Sequence, residues 1–500
     1  MKEIIYIQAG NFANHVGSHF WNAQESYFTY REGTDSIVDH DISFREGQTF
    51  VLKGESTFCP RLLLFDQKGE FIHLEEDTGI AQWYRYYQFS SHTPSRTLYR
   101  NGDIIEHKQE PLLKSIYHQF IEQNEVAEKP TGPPDNSILD IDSKIRYWSD
   151  YDRVFYHPRS LHRLPDVPDY ENMDGDWLGA QEMFRKFNED SDVMETSFRL
   201  FAEECDNLQG IQVTSDNGLF GGFTHSLLTA FRDEFPRLPS LTFSFCSDAN
   251  PDNVRALVDI GLRTIMNDAL CLQSLMELST LNVPIQTPPS WSQGLGSDNP
   301  RLNRSNIYHS SALLSSHIES VTLPLRLKEK QDDLSSLCET LSVQTNARVA
   351  HLSGLLPVSE VASFPDVEKR VYDFSASIQS SSTKMFSRID VSRGFTSDLI
   401  SSYEMWLGSQ SVHAPVIPLP SSYPSFFKSP NRPSSCTAFS SISTTPRTSE
   451  LFSHYATHVD DVLKRHPDVV QRMGLEVDDI KELRDGFWGL EDEYKGDDEN

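Results

Sequence analysis

The feature that most constrains this sequence is a set of short, mostly apolar runs that each end at a turn and give way to a helical stretch. Residues 3–8 are apolar and β-prone, a Gly-containing turn follows at 9–11, and a helical stretch runs to about Tyr27. Leu62-Leu63-Leu64-Phe65 is a second run, stopping at Asp66. Ile211-Gln212-Val213 and Leu241-Thr242-Phe243-Ser244-Phe245 read as two further strands, broken by polar residues, with helical stretches over 180–207 and 223–234. Strands that alternate with helices in this way predict an α/β fold, a parallel sheet covered by helices. Ligands of such sheets sit at the carboxyl ends of the strands, here the turns after Gln8, Asp66 and Val213.

The pattern loosens between about 72 and 170, a segment rich in Tyr, His and Pro, with an exposed loop expected at Lys129-Pro130-Thr131-Gly132-Pro133-Pro134. After the Pro-rich break at 284–289 a second unit mixes helices (309–319 and 328–342) with a strand candidate, Val321-Thr322-Leu323. From Ser409 to Ser449, 41 residues hold 12 Ser and 7 Pro and no Asp or Glu. That composition predicts extended chain, docked in part through Phe426 and Phe427. Val477, Ile480, Leu483, Phe487 and Leu490 then keep helical spacing, ahead of an acidic tail.

Charge and targeting patterns exclude several function classes. With 73 Asp and Glu against 44 Lys and Arg, the net charge is −29, which repels phosphate backbones and anionic lipid and favours basic partners. No direct nucleic-acid partner is expected. No run approaches the length of a transmembrane helix, and the N-terminus has neither a signal-peptide nor a presequence plan. The six cysteines form no CxxC pair and read as reduced thiols of a cytosolic-type compartment.

The first strand–turn–helix carries chemistry of its own. In Gln8-Ala9-Gly10-Asn11-Phe12-Ala13-Asn14-His15-Val16-Gly17, a small-residue turn leads into a helix whose free N–H groups and dipole favour an anion. His15 and His19, and again His454 and His458, are four apart as a metal pair would be. Without a third ligand in view, surface or partly packed histidines are the plainer reading. GxxxxGK[ST], HExxH and GxSxG are absent, so no metal site and no catalytic residue is assigned.

Continued to Phe20-Trp21, that block resembles the opening of tubulins, in which the loop cradles the guanine nucleotide. Pro60-Arg61-Leu62-Leu63-Leu64-Phe65-Asp66 resembles the tubulin strand that ends in an acidic loop near metal and phosphates. Cys205-Asp206-Asn207-Leu208-Gln209-Gly210-Ile211-Gln212 is similar to the strand entering the tubulin glycine-rich signature, and Asn217-Gly218-Leu219-Phe220-Gly221-Gly222-Phe223 stands where that signature belongs. Asn267-Asp268-Ala269-Leu270 resembles the start of the central helix, where tubulins set an Asn against the guanine base. Trp148-Ser149-Asp150-Tyr151, Tyr156-His157-Pro158-Arg159-Ser160-Leu161 and Phe201-Ala202-Glu203-Glu204-Cys205 make the chain resemble the Misato family in particular.

The resemblance implies a tubulin/FtsZ-like fold. It divides the chain into a nucleotide-binding-type domain (1–266, with a family-specific insertion at 72–170), a central helix (267–282) and a second α+β domain (283–408). The Ser/Pro-rich segment (409–449) and C-terminal helices with the tail (450–500) follow. It implies a GTP site of degenerate type, formed by Gln8, Gly10, Asn11, Asp66, Gly218, Gly221, Gly222 and Asn267. Leu219 and Phe220 interrupt the glycine run, Phe12 adds bulk beside the phosphate position, and Lys68 stands where tubulins carry an acid and cannot ligate Mg²⁺. Asp298, in Gly294-Leu295-Gly296-Ser297-Asp298-Asn299, is a poor match for the tubulin hydrolytic acid. Asn267 reads a guanine edge or caps the central helix. The expected function is a non-catalytic organising or adaptor protein of mitochondrial partitioning and mitochondrial DNA inheritance. It would act at the outer mitochondrial surface and in the cytoplasm, with protein partners there or on the cytoskeleton. The rival is a GTP-binding, polymerising GTPase. A cytosolic chaperonin is a further expected partner, because long-range sheet pairing folds slowly.

Overall fold

The computed structural model describes residues 2–28, 35–48, 56–67, 142, 145–164, 176–247, 258–291, 301–329, 332–342, 348–358, 363–375, 385–407, 411–424 and 433–495. In chain order its strands are β1 (Glu3–Ala9), β2 (Phe44–Gln48), β3 (Ser56–Pro60), β4 (Leu62–Gln67), β5 (Leu161–Leu164), β6 (Leu208–Asp216), β7 (Ser240–Phe245), β8 (Leu281–Ile285), β9 (His351–Leu355), β10 (Tyr372–Asp373), β11 (Ser387–Arg393), β12 (Ser411–Ala414), β13 (Ile417–Pro418), β14 (Ser435–Cys436) and β15 (Ala438–Thr444). Its α-helices are α1 (Asn11–Glu25), α2 (Trp177–Ser191), α3 (Arg199–Glu203), α4 (Asn217–Glu234), α5 (Val258–Leu278), α6 (Ile307–Thr322), α7 (Leu334–Ser342), α8 (Phe364–Glu368), α9 (Ser397–Leu407), α10 (Thr448–Arg465), α11 (Pro467–Arg472) and α12 (Val477–Lys495).

A six-stranded sheet, ordered β5-β4-β1-β6-β7-β8, is parallel throughout. Both faces are covered, and the inner strands are buried over most of their length, β1 and β4 largely with apolar residues and β6 and β7 with Gln212, Thr214, Thr242 and Ser244 among them. On β1, Ile4 and Tyr6 enter a core with Val16, Phe20 and Trp21 of α1 and Leu313, Leu314 and Ile318 of α6. The alternate residues Ile5 and Ile7 face Met183 and Phe184 of α2 and Phe223 and Leu227 of α4. This is the expected α/β, tubulin/FtsZ-like architecture. A second, mixed sheet runs β10-β9-β15-β11-β12, and α5 packs on the C-terminal helices α10 to α12.

Several local expectations change. The helix expected over 180–207 breaks at Asp192, whose φ of 44° is left-handed, and resumes as a π-helical turn at Met194–Phe198 before α3. The strand candidate Val321-Thr322-Leu323 is the end of α6 and the short turn after it. Every residue of α6 from Tyr308 to Thr322 is buried, and the hydroxyls of Ser310, Ser316 and Thr322 bond carbonyls one turn back, so these three need no solvent. The helix expected at 267–282 spans Val258–Leu278 instead. Within the Ser/Pro-rich segment, β15 is a fully buried inner strand rather than loosely extended chain; Phe426 and Phe427 lie outside the described residues. Among the described residues no helix is long and apolar enough to cross a membrane.

Candidate functional site

Parallel pairing brings the ends of β1, β4 and β6 side by side, with Ala9 opposite Phe65 on one edge and Ser215 on the other. The next residues are Gly10, Asp66 and Asp216. Gly10 is the N-cap of α1 with φ 110°, and a Cβ there would lie 2.5 Å from Asp216 Oδ2. Only glycine suits such a turn.

The first N–H groups of α1 already hold an anion. Phe12 N donates to Asp216 Oδ2 and Ala13 N to Asp216 Oδ1, each at 2.8 Å. The chain's own carboxylate thus occupies the helix N-terminus that the sequence marks out for an anion. Burial pushes Asp216 up to about 7 against the lowering effect of those two bonds. Asp66 is engaged as well. It accepts from Asn14 Nδ2 at 2.8 Å, Trp148 Nε1 at 3.0 Å and Gln67 N at 2.8 Å. Burial lifts it, too, to about 7, with the nearby Asp216 adding to the rise.

The other expected site residues have separate surroundings. Gln8 is buried with its amide against α1, where any side chain at position 17 would strike it. Asn11 opens α1 half-buried, and its side-chain oxygen Oδ1 has no hydrogen-bond partner. Gly218, Gly221 and Gly222 lie inside α4, which begins at Asn217 rather than near 223. A Cβ on Gly218 would meet nothing. One on Gly221 would lie 3.2 Å from Asn267 Nδ2, and one on Gly222 would drive into the Trp177 carbonyl of α2. Two of the three glycines thus serve close helix packing, not a loop that cradles phosphate. Asn267 lies in the interior of α5, so it cannot cap that helix. Its amide donates to the carbonyl oxygens of Asn217 and of Gly218, the latter at 2.8 Å, at the start of α4.

The bulky departures are absorbed in the core. Phe12 packs edge-on to Phe245, centroids 5.0 Å apart, and Phe220 is buried against Phe223 at 5.6 Å. His15 and His19 are fully buried rather than at the surface. His15 Nδ1 meets the Tyr151 hydroxyl at 2.7 Å, the His19 ring stacks on Tyr151 at 4.6 Å, and burial pushes His15 down to about 3. Lys68 and the loop with Asp298 lie outside the described residues. Sequence reasoning missed Asp216, Asn14 and Trp148 as site residues. Asp216 carried a signal, since like Asp66 it is an acid that ends an apolar strand.

Comparison with known proteins agrees with this architecture. A family model described as the Misato Segment II tubulin-like domain matches residues 2–123, and one described as a tubulin domain matches 139–327. Protein DML1 of Gibberella zeae is 34% identical over 364 residues, covering 70% of this chain and 67% of that one. The chain belongs to the Misato family. Protein dml1 of Aspergillus oryzae is 29% identical over 479 residues, covering 90% of this chain and 91% of its own. Protein dml1 of Aspergillus clavatus is 33% identical over 344 residues, which is 67% of this chain and 63% of that relative. A tubulin-like domain is consistent with GTP binding. In this Misato-family chain, however, the α1 N-terminus and the β4 acid are both bonded to the protein's own side chains.

Proposed function

We propose that this chain is a tubulin-like organising or adaptor protein in the partitioning of mitochondria and the inheritance of mitochondrial DNA, and not an efficient GTPase. The observation that carries the second half is the Asp216 carboxylate on the N–H groups of Phe12 and Ala13. A phosphate brought to that helix end meets a second anion in a site of low dielectric, where repulsion is far stronger than in water. The Trp148 indole and Asn14 amide on Asp66 occupy the acid that would otherwise face a metal or its waters. The mitochondrial half is what the resemblance to the Misato family implies. The protein would act at the outer mitochondrial surface and in the cytoplasm, through protein partners there or on the cytoskeleton, with a cytosolic chaperonin engaged during folding.

The test is equilibrium binding of GTP to purified, nucleotide-stripped protein, beside ion-exchange analysis of nucleotide released when freshly purified protein is denatured. No released nucleotide and no saturable binding are expected. Micromolar affinity with Mg²⁺-dependent turnover would overturn the proposal. The rival reading, a polymerising GTPase, is favoured by the kept turn at Gly10 and helix α1. It requires the protein to sediment with GTP and stay in solution without it. A fluorescent fusion that never meets mitochondria would remove the mitochondrial half.

A further inference from the structure

Large exposed apolar side chains are few among the described residues; Met405 and Trp406 are neighbours on α9, and Met385 touches Arg388, which shares Glu368 with the Trp406 indole. Helix α9 explains two of them. Leu399, Tyr403 and Trp406 fall on one stripe at helical spacing. Leu399 and Tyr403 are buried against Phe364 and Phe439, while Trp406, one turn further on, overruns the edge of that core and is 56% exposed. Met405 beside it is 88% exposed.

The Trp406 ring is nevertheless held in place. Its Nε1 donates to Glu368 Oε2 at 2.6 Å, and Glu368 Oε1 accepts from Arg388 Nη1 at 3.0 Å. Arg388 Nε donates to Asp390 Oδ1 at 2.6 Å, and Asp390 Oδ2 accepts from the buried Tyr403 hydroxyl at 2.8 Å. Met385 Sδ lies 4.0 Å from Arg388 Nη1. An aromatic ring fixed in advance loses little freedom on binding, and Met beside it adapts to the partner. Exposed, rigid Trp with Met is the composition of an interface centre rather than of ordinary surface.

Charge selects the partner. On its exposed side α9 carries Asp398 and Glu404, and the helix has no Lys or Arg. Arg388, which shares Glu368 with the Trp406 indole, is already committed to Glu368 and Asp390. We propose that the outer face of α9 docks a basic amphipathic protein segment, with Trp406 and Met405 as apolar anchors and Asp398 and Glu404 as the charge complement. This surface does not depend on whether the strand-end site binds nucleotide.

The test uses the full chain and a labelled synthetic helix in which Leu recurs at helical spacing and Lys fills the other positions, read by fluorescence anisotropy. Saturable binding is expected, weakened about tenfold or more by Trp406→Ala and weakened also by Glu404→Lys and by added salt. Trp488→Ala, an exposed Trp on another helix, should bind as the parent does. Circular dichroism shows that each variant is folded. Unchanged binding by folded Trp406→Ala, or equal binding of a Leu/Glu helix of the same pattern, overturns the proposal. So does capture of phosphatidylcholine–phosphatidylserine vesicles through Trp406, or a self-association in sedimentation that Trp406→Ala abolishes.

Discussion

Replacing Asp216 with Ala removes the acceptor of two buried N–H groups at the start of α1, both bonded at 2.8 Å. Bonds between amides and an ionised group contribute about 1.5–3 kcal/mol each, so the gross loss is about 3–6 kcal/mol. Part of it is offset, because the same burial that lifts Asp216 to about 7 makes its charged form costly. A net destabilisation of about 1–3 kcal/mol is expected, read as a lowered urea midpoint at unchanged slope. Asp216→Asn, which keeps the shape but turns an amide NH₂ toward one of the two donors, should lose a similar amount. The vacated helix end then becomes an open anion site. Orthophosphate or GTP should raise the midpoint of Asp216→Ala, with about 2.7 kcal/mol regained at a ligand concentration a hundredfold above the dissociation constant, and should leave the parent unmoved. A parent stabilised by phosphate as strongly as the variant would refute the reasoning, and so would an Asp216→Ala chain that is neither weakened nor responsive.

Thermal stability should peak near pH 6.5. Burial pushes His15 and His317 down to about 3 and His162 and His40 to about 4, so below 6.5 the unfolded chain binds more protons and stability falls with pH. Above 6.5 those groups are neutral in both states. Asp66 and Asp216, raised to about 7, and Asp152, raised to about 8, act the other way, because from about pH 4 up to those values the folded chain keeps protons that the unfolded chain has given up. Above 6.5 this opposing effect is left alone and stability declines until those acids ionise, so a melting temperature that rises steadily from pH 5 to 8 contradicts the expectation. Gly222→Ala should cost about 1–3 kcal/mol through overpacking against the Trp177 carbonyl, whereas Gly218→Ala, with open space, should gain about 0.5–1 kcal/mol; equal effects would mean that the two glycines share one role. Glu319→Ala strands Arg393 and Arg326, both buried and bonded to Glu319 at 2.7 and 3.4 Å. A loss of about 3–5 kcal/mol in chemical denaturation is expected.

The parts legible in the sequence are those whose burial is symmetrical. The runs at 3–8 and 62–65 announce themselves because a strand covered on both faces can be apolar without alternation, while 211–213 and 241–245 show through β-branched and aromatic residues although Gln212, Thr242 and Ser244 interrupt them. Helix α6 is equally buried but reads as surface in places. Ser310, Ser311 and Ser316 are satisfied by its own carbonyls, and His317 by Ser440 at 2.8 Å, and neither fact has a periodicity. Strand β15 is hidden for the same reason: Ser440 and Ser441 bond His317 and Arg388 across the fold. Among the site residues, Asp66 was legible as a strand-end acid. Asp216 ends a strand in the same manner, but its donors lie at Phe12 and Ala13. Only the adjacency of β1 and β6 in the sheet joins them.

That adjacency also ties the sequence departures together. A bound nucleotide would serve the polar balance of this sheet edge twice, once by satisfying the N–H groups of α1 and once by drawing on the acid at the end of β4. Asp216 performs the first service, and Asn14 with Trp148 the second. Once neither depends on a ligand, no phosphate has to approach the backbone of the turn or of the segment that begins α4. Bulk at position 12 can then fill space against Phe245, and bulk at 220 against Phe223. Gly10 stays, because its φ of 110° and the closeness of Asp216 still forbid a side chain. Gly221 and Gly222 stay because α5 and α2 press on them. Gly10, Gly221 and Gly222 are therefore small because packing demands it, whereas Gly218, where a Cβ would meet nothing, is not held small by packing.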